Sequence, residues 1–406
     1  MIIINNREQD IIKIISNLDI PPTLYKNAVE KYKNIATYIK NKGLDVDIYP
    51  QGSFALGTVV RPYSLDDSAA YDLDFICQVS NTTRDDMSAK ELRELIKNTL
   101  NESELYGGKL EVCGECFTIK YANINGFSFS IDIVPAIDES DYNKLMLKQK
   151  AINPLLLDTA IAIPRAISQE KYDWLTNNPK GYKEWFTDIN DRYLKLSRDY
   201  YRQQYYEAHK SVFASIEDIP LELERSALQR VIQILKYHRN VFYSRYYEGE
   251  KYKPISAIIN TIVTEIAKYA NPTMTVYELL RYVINEFYTY SLQLTMTESH
   301  FAEKFINKAV IAKKEERWII RNPANPDDNL ADSWSNKTAE VFFEWTKNLK
   351  SDLIDSLSLG DVDFRVCVEN ALGESVVKKS WGEKYKDSTT PTILSSNNYA
   401  KPWRMR

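Results

Sequence analysis

Residues 71–79 read Tyr-Asp-Leu-Asp-Phe-Ile-Cys-Gln-Val. Apolar residues recur on one face of this run, as in a β-strand. Asp72 and Asp74 are separated by one residue, so a strand points both to the same face. Two carboxylates side by side in an otherwise apolar strand repel each other unless a cation stands between them. Hard oxygen donors of this kind suit Mg²⁺, which is usually shared with substrate phosphates.

The reading extends outward from these acids. Gly126–Pro135, with the alternation FSFSIDIV, predicts a second strand and carries the solitary Asp132. If it pairs beside the first strand, Asp72, Asp74 and Asp132 converge. Such a cluster fits two-metal phosphoryl transfer. One ion would bridge a triphosphate and the other would help deprotonate a hydroxyl for in-line attack on the α-phosphate. Upstream, Gln51-Gly52-Ser53-Phe54 has turn character. Gly52 would let the backbone approach a phosphate, turn N–H groups form an anion cradle, and the Ser53 hydroxyl adds a donor. Glycine is scarce here, 12 in 406 residues, which makes one in this position less of a background event.

Residues 22–43 have the spacing of a helix, with Leu24, Ala28, Tyr32, Ala36 and Ile39 on one side and Gly43 at the stop. Val46–Tyr49, Tyr71–Val79 and Leu110–Tyr121 read as further strands. From about residue 185 helical periodicity dominates. Leu228, Val231, Ile232 and Leu235 mark one helix, Ala257–Tyr269 another, and 272–290 and 337–359 two more. Pro323 and Pro326 mark a loop between helices, and the tail from Lys384 onward reads as extended. The long βα alternation of a dinucleotide-binding fold is absent, and so is the glycine-lysine phosphate loop.

The 52 Lys and Arg against 56 Asp and Glu leave a formal charge of −4, which argues against a nucleic-acid coat protein but allows a local basic groove. No signal-peptide pattern opens the chain, and no window approaches a membrane span, so a soluble cytoplasmic protein is expected. Cys113 and Cys116 form a C-x-x-C pair with no second pair to complete a zinc site. They read as two strand cysteines kept reduced.

The segments QGSFALGTVVRP, YDLDFICQV and FSIDIVPAID resemble the core of polymerase-β-type nucleotidyltransferases. WLTNNPKGYKEWF (174–186), LQRVIQILKYHRNVF (228–242), KPISAIINTIV (253–263) and NPANPDDNLADSW (322–334) narrow the resemblance to the bacterial cGAS/DncV-like nucleotidyltransferases, and the final KPWRMR is similar too. This resemblance implies an α+β, bilobal fold: a nucleotidyltransferase core with a mixed β-sheet plus a mostly helical C-terminal domain. Residues 1–185 would form the catalytic core with an N-terminal helix, 186–383 the helical domain closing the cleft, and 384–406 an extended tail. It implies synthesis of a cyclic di- or trinucleotide second messenger from NTPs, ATP among them, in antiphage defence. A downstream effector would respond to the product, and a regulatory protein partner occurs in some relatives. No membrane and no nucleic-acid activator is implied, since a zinc ribbon and a strongly basic domain are both missing.

By the same resemblance, Gly52 and Ser53 would bind the triphosphate. Asp72, Asp74 and Asp132 would hold two Mg²⁺ ions, with Asp132 favouring deprotonation of the attacking hydroxyl. Lys236 and Ser256 would contact the triphosphate from the helical side. Lys236 lies next to an apolar helical stripe, and Ser256 at a helix start suits an anion. Some relatives place a base-stacking aromatic just after this serine. Here it is Ala257, so the stacking partner stays open.

Each residue also has an ordinary reading. A D-x-D can be a solvated strand edge, Asp66-Asp67 reads as a turn, Lys236 as a surface lysine and Ser256 as a helix cap. His238 and Arg239 read equally as added positive potential or a solvated face. Trp174, Trp185 and Trp334 read as packing residues. Two other functions share the same acids: a linear oligoadenylate or polyadenylating transferase, and a silent nucleotide sensor.

Overall fold

The computed structural model describes residues 2–63, 70–124, 127–168, 171–213, 215–220, 223–297, 299–300, 303 and 310–386. Asp66-Asp67, Gly126 and the tail beyond residue 386 lie outside them. The elements run α1 (Ile2–Ser16), α2 (Pro22–Asn41), β1 (Val46–Pro50), α3 (Gly52–Ala55), β2 (Tyr71–Thr83), α4 (Ala89–Asn101), β3 (Leu110–Val112), β4 (Phe117–Ile124), β5 (Phe127–Asp138), α5 (Asp141–Lys150), β6 (Ile161–Ala166) and β7 (Tyr172–Asn177). The second half runs α6 (Pro179–Ala208), α7 (Ala227–Arg245), α8 (Gly249–Tyr252), α9 (Ser256–Ala267), α10 (Val276–Tyr290), β8 (Ala312–Lys314), β9 (Arg317–Ile319), β10 (Arg321–Asn322), β11 (Asn325–Asn329), α11 (Asn336–Leu353), α12 (Asp361–Leu372) and α13 (Glu374–Trp381).

The fold is α+β with a mixed sheet. Its strand order is β1-β2-β5-β4-β3, with β6 joining β5 and β7 joining β6. β2 and β5 run parallel, and the other pairs are antiparallel. Alternation along β2 and β5 decides what each face does. Leu73, Phe75, Cys77, Ile131 and Ile133 turn to one face and are buried under α2 and α4, against Leu24, Ala28, Ile35, Leu92 and Ile96. The other phase carries Asp72, Asp74 and Asp132.

The helical lobe has its own core, in which α7 is central. Almost every residue of α7 is buried, including Gln229, Gln233, Lys236, His238 and Arg239. The stripe Leu228, Val231, Ile232, Leu235 is therefore one side of a helix enclosed all round, rather than the apolar face of a surface helix. The 30-residue α6 bridges the two cores, with Phe186, Ile189 and Tyr193 in the helical one and Tyr205 in the sheet one. Helix α1 joins the helical core through Ile11, Ile14, Ile15 and Leu18. The sequence reading grouped residues 1–185 together. The chain instead contributes its first described helix to the second lobe, because that helix's apolar residues find α7, α10 and α13 there.

Three local readings are corrected. Leu110–Tyr121 is two strands, with Cys113-Gly114-Glu115-Cys116 as the turn between them. The apolar phase slips from Leu110 and Val112 to Phe117 and Ile119, a signature of a reversal that plain alternation hides. The Pro323–Pro326 loop is a hairpin, β10–β11, in which Asn322 and Asn325 accept bonds from Ala324 and Asp327 N–H groups two residues on. Pro326 is tolerated there on a short edge strand. The Gln51–Phe54 turn is the entry to the single helical turn α3.

A row of polar side chains on α7 clamps the chain that follows α3. Gln229 Nε2 donates to Leu56 O at 2.8 Å, Gln233 Nε2 to Val59 O at 2.8 Å, and Lys236 Nζ to Thr58 O at 2.9 Å. Gln229 Oε1 accepts from Ser226 N–H and closes the helix's capping box. Gln233 also reaches Asp19, which pairs with Arg230 at 2.6 Å. Gly57 has φ +64°, and a Cβ there would come within 2.5 Å of Gln229 Nε2, so the clamp needs glycine at that position.

Gln233→Leu strands the buried Val59 carbonyl without a donor. We expect it to cost about 1–3 kcal/mol of stability, read as a lower urea midpoint. A midpoint equal to wild type would show that the clamp carries no such weight.

Candidate active site

The parallel register of β2 and β5 places Asp74 directly beside Asp132. Asp72 lies one step along the same face, exposed, while Asp74 and Asp132 are partly covered. Two of the acids are held by hydroxyls from neighbouring strands. Ser130 Oγ donates to Asp72 Oδ1 at 2.7 Å, and Thr118 Oγ1 donates to Asp132 Oδ1 at 2.6 Å.

Asp74 lies beneath α3. Gly52 has φ +57°, and a Cβ on it would meet Asp74 Oδ2 at 3.1 Å. Both facts demand glycine: the left-handed backbone excludes most side chains, and the acid leaves no room for one. Gln51 N–H donates to Asp74 O at 2.9 Å and ties the turn to the strand.

Ser53 follows, and its Oγ accepts from Lys236 Nζ at 2.6 Å. Lys236 is only 2% exposed. Burial, with Arg239 nearby, pulls its ammonium down to about 7, against the pull of Asp74. Burial, then repulsion from Asp72 and Asp132, pushes the Asp74 carboxyl up to about 7. Asp132 is raised chiefly by burial, with the Thr118 hydrogen bond opposing. An acid and a lysine that each resist charging face the same small volume.

That volume opens into a cleft of about 380 Å³ lined by Ser53, Asp72, Lys236, Arg239, Lys253 and Ser256, among others. Ser256 opens α9 and accepts from Arg239 Nη1 at 3.3 Å. Of the residues singled out from sequence, Ser53, Asp72, Lys236 and Ser256 line the cleft. Gly52, Asp74 and Asp132 are not among the lining residues; the two acids lie on the same strand face as Asp72, with Gly52 over Asp74. The sequence reading left Arg239 and His238 undivided, and the structure separates them. Arg239 is buried in the cleft wall, also bonded to Pro254 O. His238 points away from the cleft, receiving Trp345 Nε1–H at Nδ1 and meeting Asp352 at 3.0 Å. Gln229, Gln233 and Thr118 were missed. The first two share a helix face with Lys236 at offsets of seven and three, which was the available signal. Thr118 had none, since only strand pairing brings it to Asp132. Tyr63 and Tyr71 are aromatic members of the cleft lining.

A divalent ion is tested by the donor set itself. Among the described residues, no group of three or more His, Cys, Asp or Glu side chains is arranged to hold a metal ion unaided. The donors are hard carboxylate oxygens packed closely enough to repel, beside a cationic pocket. That fits an ion completed by phosphate oxygens rather than one caged by protein alone.

Residues 46–134 match the family described as "Cyclic GMP-AMP synthase DncV-like, nucleotidyltransferase domain". The chain is 24% identical over 356 residues to a c-di-GMP synthase of Roseivirga ehrenbergii, covering 86% of this chain and 79% of that one. It is 22% identical over 380 residues to the cyclic dinucleotide synthase CdnG of Bradyrhizobium diazoefficiens, covering 90% and 80%. The structure of that CD-NTase in complex with GTP shares the fold, with a TM-score of 0.64, 20% identity, and coverage of 92% of this chain and 97% of that one. Among the described residues no helix is long and apolar enough to cross a membrane.

The two perturbed groups fix a pH dependence of stability in the absence of cation and nucleotide. Asp74 binds its proton more tightly folded than unfolded, so folding loses stability as pH rises from about 4 to about 7. Lys236 binds its proton less tightly folded, so stability is regained as pH rises from about 7 towards 10.5. Asp74→Asn removes the falling limb. Its melting temperature should exceed that of wild type by more at pH 7 than at pH 5. An equal offset at both pH values would refute the assignment.

Proposed function

We propose that this chain, which belongs to the cGAS/DncV-like nucleotidyltransferases, joins ribonucleoside triphosphates into a cyclic di- or trinucleotide. The observation that carries this reading is the cleft in which Asp72, on the face it shares with Asp74 and Asp132, meets the Lys236–Ser53 pair. Acids that need cations face cations that need phosphate. The two curated relatives reported above are named as a c-di-GMP synthase and a cyclic dinucleotide synthase, which favours a ring over a linear product.

In this reading Ser53, Lys236, Arg239 and Ser256 orient the triphosphate of the donor. Gly52 lets the backbone of α3 come close to it. Asp72, Asp74 and Asp132 would hold Mg²⁺ together with phosphate oxygens, and the bound ion would supply neutralisation of phosphate charge and a more acidic hydroxyl. Asp132 would favour deprotonation of the attacking hydroxyl. The hydroxyl oxygen forms the new bond to the α-phosphorus, and pyrophosphate leaves. Repeating the transfer on the linear intermediate closes the ring. Lys236 gains its full charge as the triphosphate enters, since an anion favours the protonated form. In the same reading the product is a second messenger for an effector in antiphage defence, a role resting on the family resemblance.

The test is incubation with ATP, GTP, CTP and UTP plus Mg²⁺, followed by mass spectrometry. We expect a phosphatase-resistant cyclic product that depends on the divalent ion. Asp72→Ala with Asp74→Ala should remove it while the chain stays folded, and Lys236→Met should lower turnover about 10²-fold or more. Products trimmed from their ends by phosphatase would replace the ring with a linear transferase. Undiminished product from the double variant would overturn the site.

A further inference from the structure

We propose that Cys113 and Cys116 form an oxidisable dithiol site whose reactant is a low-molecular-weight disulfide such as oxidised glutathione, and whose closure loosens the hold on Asp132. The inference rests on the reading of Asp132 as a member of the active site.

The two cysteines face each other across the β3–β4 turn, and Cys113 N–H donates to Cys116 O at 3.1 Å. Facing positions on antiparallel strands bring Cβ atoms to about 4.5–5.5 Å. A disulfide needs about 3.5–4.5 Å, so closure is a small movement. Both sulfurs already gather on one oxygen: Thr118 Oγ1 is 3.4 Å from Cys113 Sγ and 3.9 Å from Cys116 Sγ. That same hydroxyl donates to Asp132 at 2.6 Å. Both thiols thus lie against the hydroxyl that orients this carboxylate.

The turn is built so that closure acts on Cys116. Cys113 O accepts from the buried Arg93 guanidinium, which lies 4.8 Å from the Phe117 ring centroid and 5.4 Å from that of Tyr172. The Cys113 backbone is therefore pinned. Gly114 at the tip has open space around it and can adjust. Cys113 is exposed and Cys116 partly covered, so the reactant meets Cys113 first. Cys113 sulfur attacks one sulfur of the small disulfide, forming a mixed disulfide and releasing one glutathione thiol. Cys116 sulfur then attacks Cys113 Sγ, forming the Cys113–Cys116 bond and releasing the second. Two electrons pass to the small disulfide, and the two thiol protons leave with the released thiols. Thr118 thereby loses both sulfur neighbours from their present positions, and its hold on Asp132 loosens.

The experiment compares the full chain kept in phosphine reductant with the same chain incubated with oxidised glutathione. Peptide mapping should show Cys113 joined to Cys116, with Cys77 and Cys367 free. Nucleotide transfer should fall about tenfold, as for loss of a contact behind a metal-holding carboxylate, and recover on reduction. Mn²⁺ affinity, read by electron paramagnetic resonance with a non-hydrolysable triphosphate present, should weaken by a similar factor. Cys113→Ser should show the same rate with and without the oxidant. No Cys113–Cys116 linkage, or a linkage that leaves both transfer and Mn²⁺ affinity unchanged, overturns the inference. A reduced chain that makes no product from any NTP defeats the proposed function instead. The mapping and Mn²⁺ arms then still decide the thiol site.

Discussion

The grip of α7 on the chain between Leu56 and Val59 is the constraint from which the rest of the structure follows. Three backbone carbonyls there receive Gln229, Gln233 and Lys236 from successive turns of one helix. A buried carbonyl without a donor is costly, so the helix cannot drift from the turn without losing all three. The grip sets where α3 sits, α3 sets the approach of Gly52 to Asp74, and Lys236 carries the same row into the cleft. The helical lobe thus positions the part of the sheet lobe that a phosphate would meet.

The cleft's electrostatics are organised around incompleteness. Buried ionisable groups usually come with partners that settle their charge. Here Asp74 is hemmed in by two other acids, and Lys236 by burial and Arg239. Their mutual attraction offsets this only in part, and Lys236 directs two of its three donors to Ser53 and Thr58. A triphosphate with divalent ions supplies what each lacks. Perturbation of this kind marks a site made for a ligand more than a structural ion pair. The Arg84–Glu139 pair at the far end of β5 shows the contrast. Its glutamate is fully buried yet also bonded to Asn143 and Thr176, and its charge is met on every side.

Much of this was legible in the sequence for a physical reason. The period of two along 71–79 and 127–134 places the acids on one face before any partner strand is known, and Asp74 beside Asp132 is what a parallel register then makes of it. Gly52-Ser53 was legible because glycine is rare here and its neighbour is polar. Lys236 and Ser256 needed the family resemblance. An enclosed helix such as α7 has no solvent face, so nothing in its period separates a cleft lysine from a surface one. Thr118 and the membership of α1 in the helical lobe were illegible because both depend on contacts between distant segments. The hairpin at Cys113–Cys116 lay between: the slip in apolar phase was present, but the eye follows alternation through it.

Helix α1 also bears on how the molecule is made. Trp381 Nε1 donates to Asp10 O, and Lys384 and Tyr385 both reach the Asp10 carboxylate. These partners are separated by more than 370 positions. On the ribosome, α1 emerges before its partners α7, α10 and α13. The sheet lobe is threaded between them and can form early, as domains tend to during synthesis. The clamp from α7 comes later, and the helical core closes last. A nascent chain would therefore hold a folded acid-bearing sheet without its cationic wall, and competence would arrive only when the two ends meet. The segment that announces the family, 46–134, is in this sense not the unit that acts.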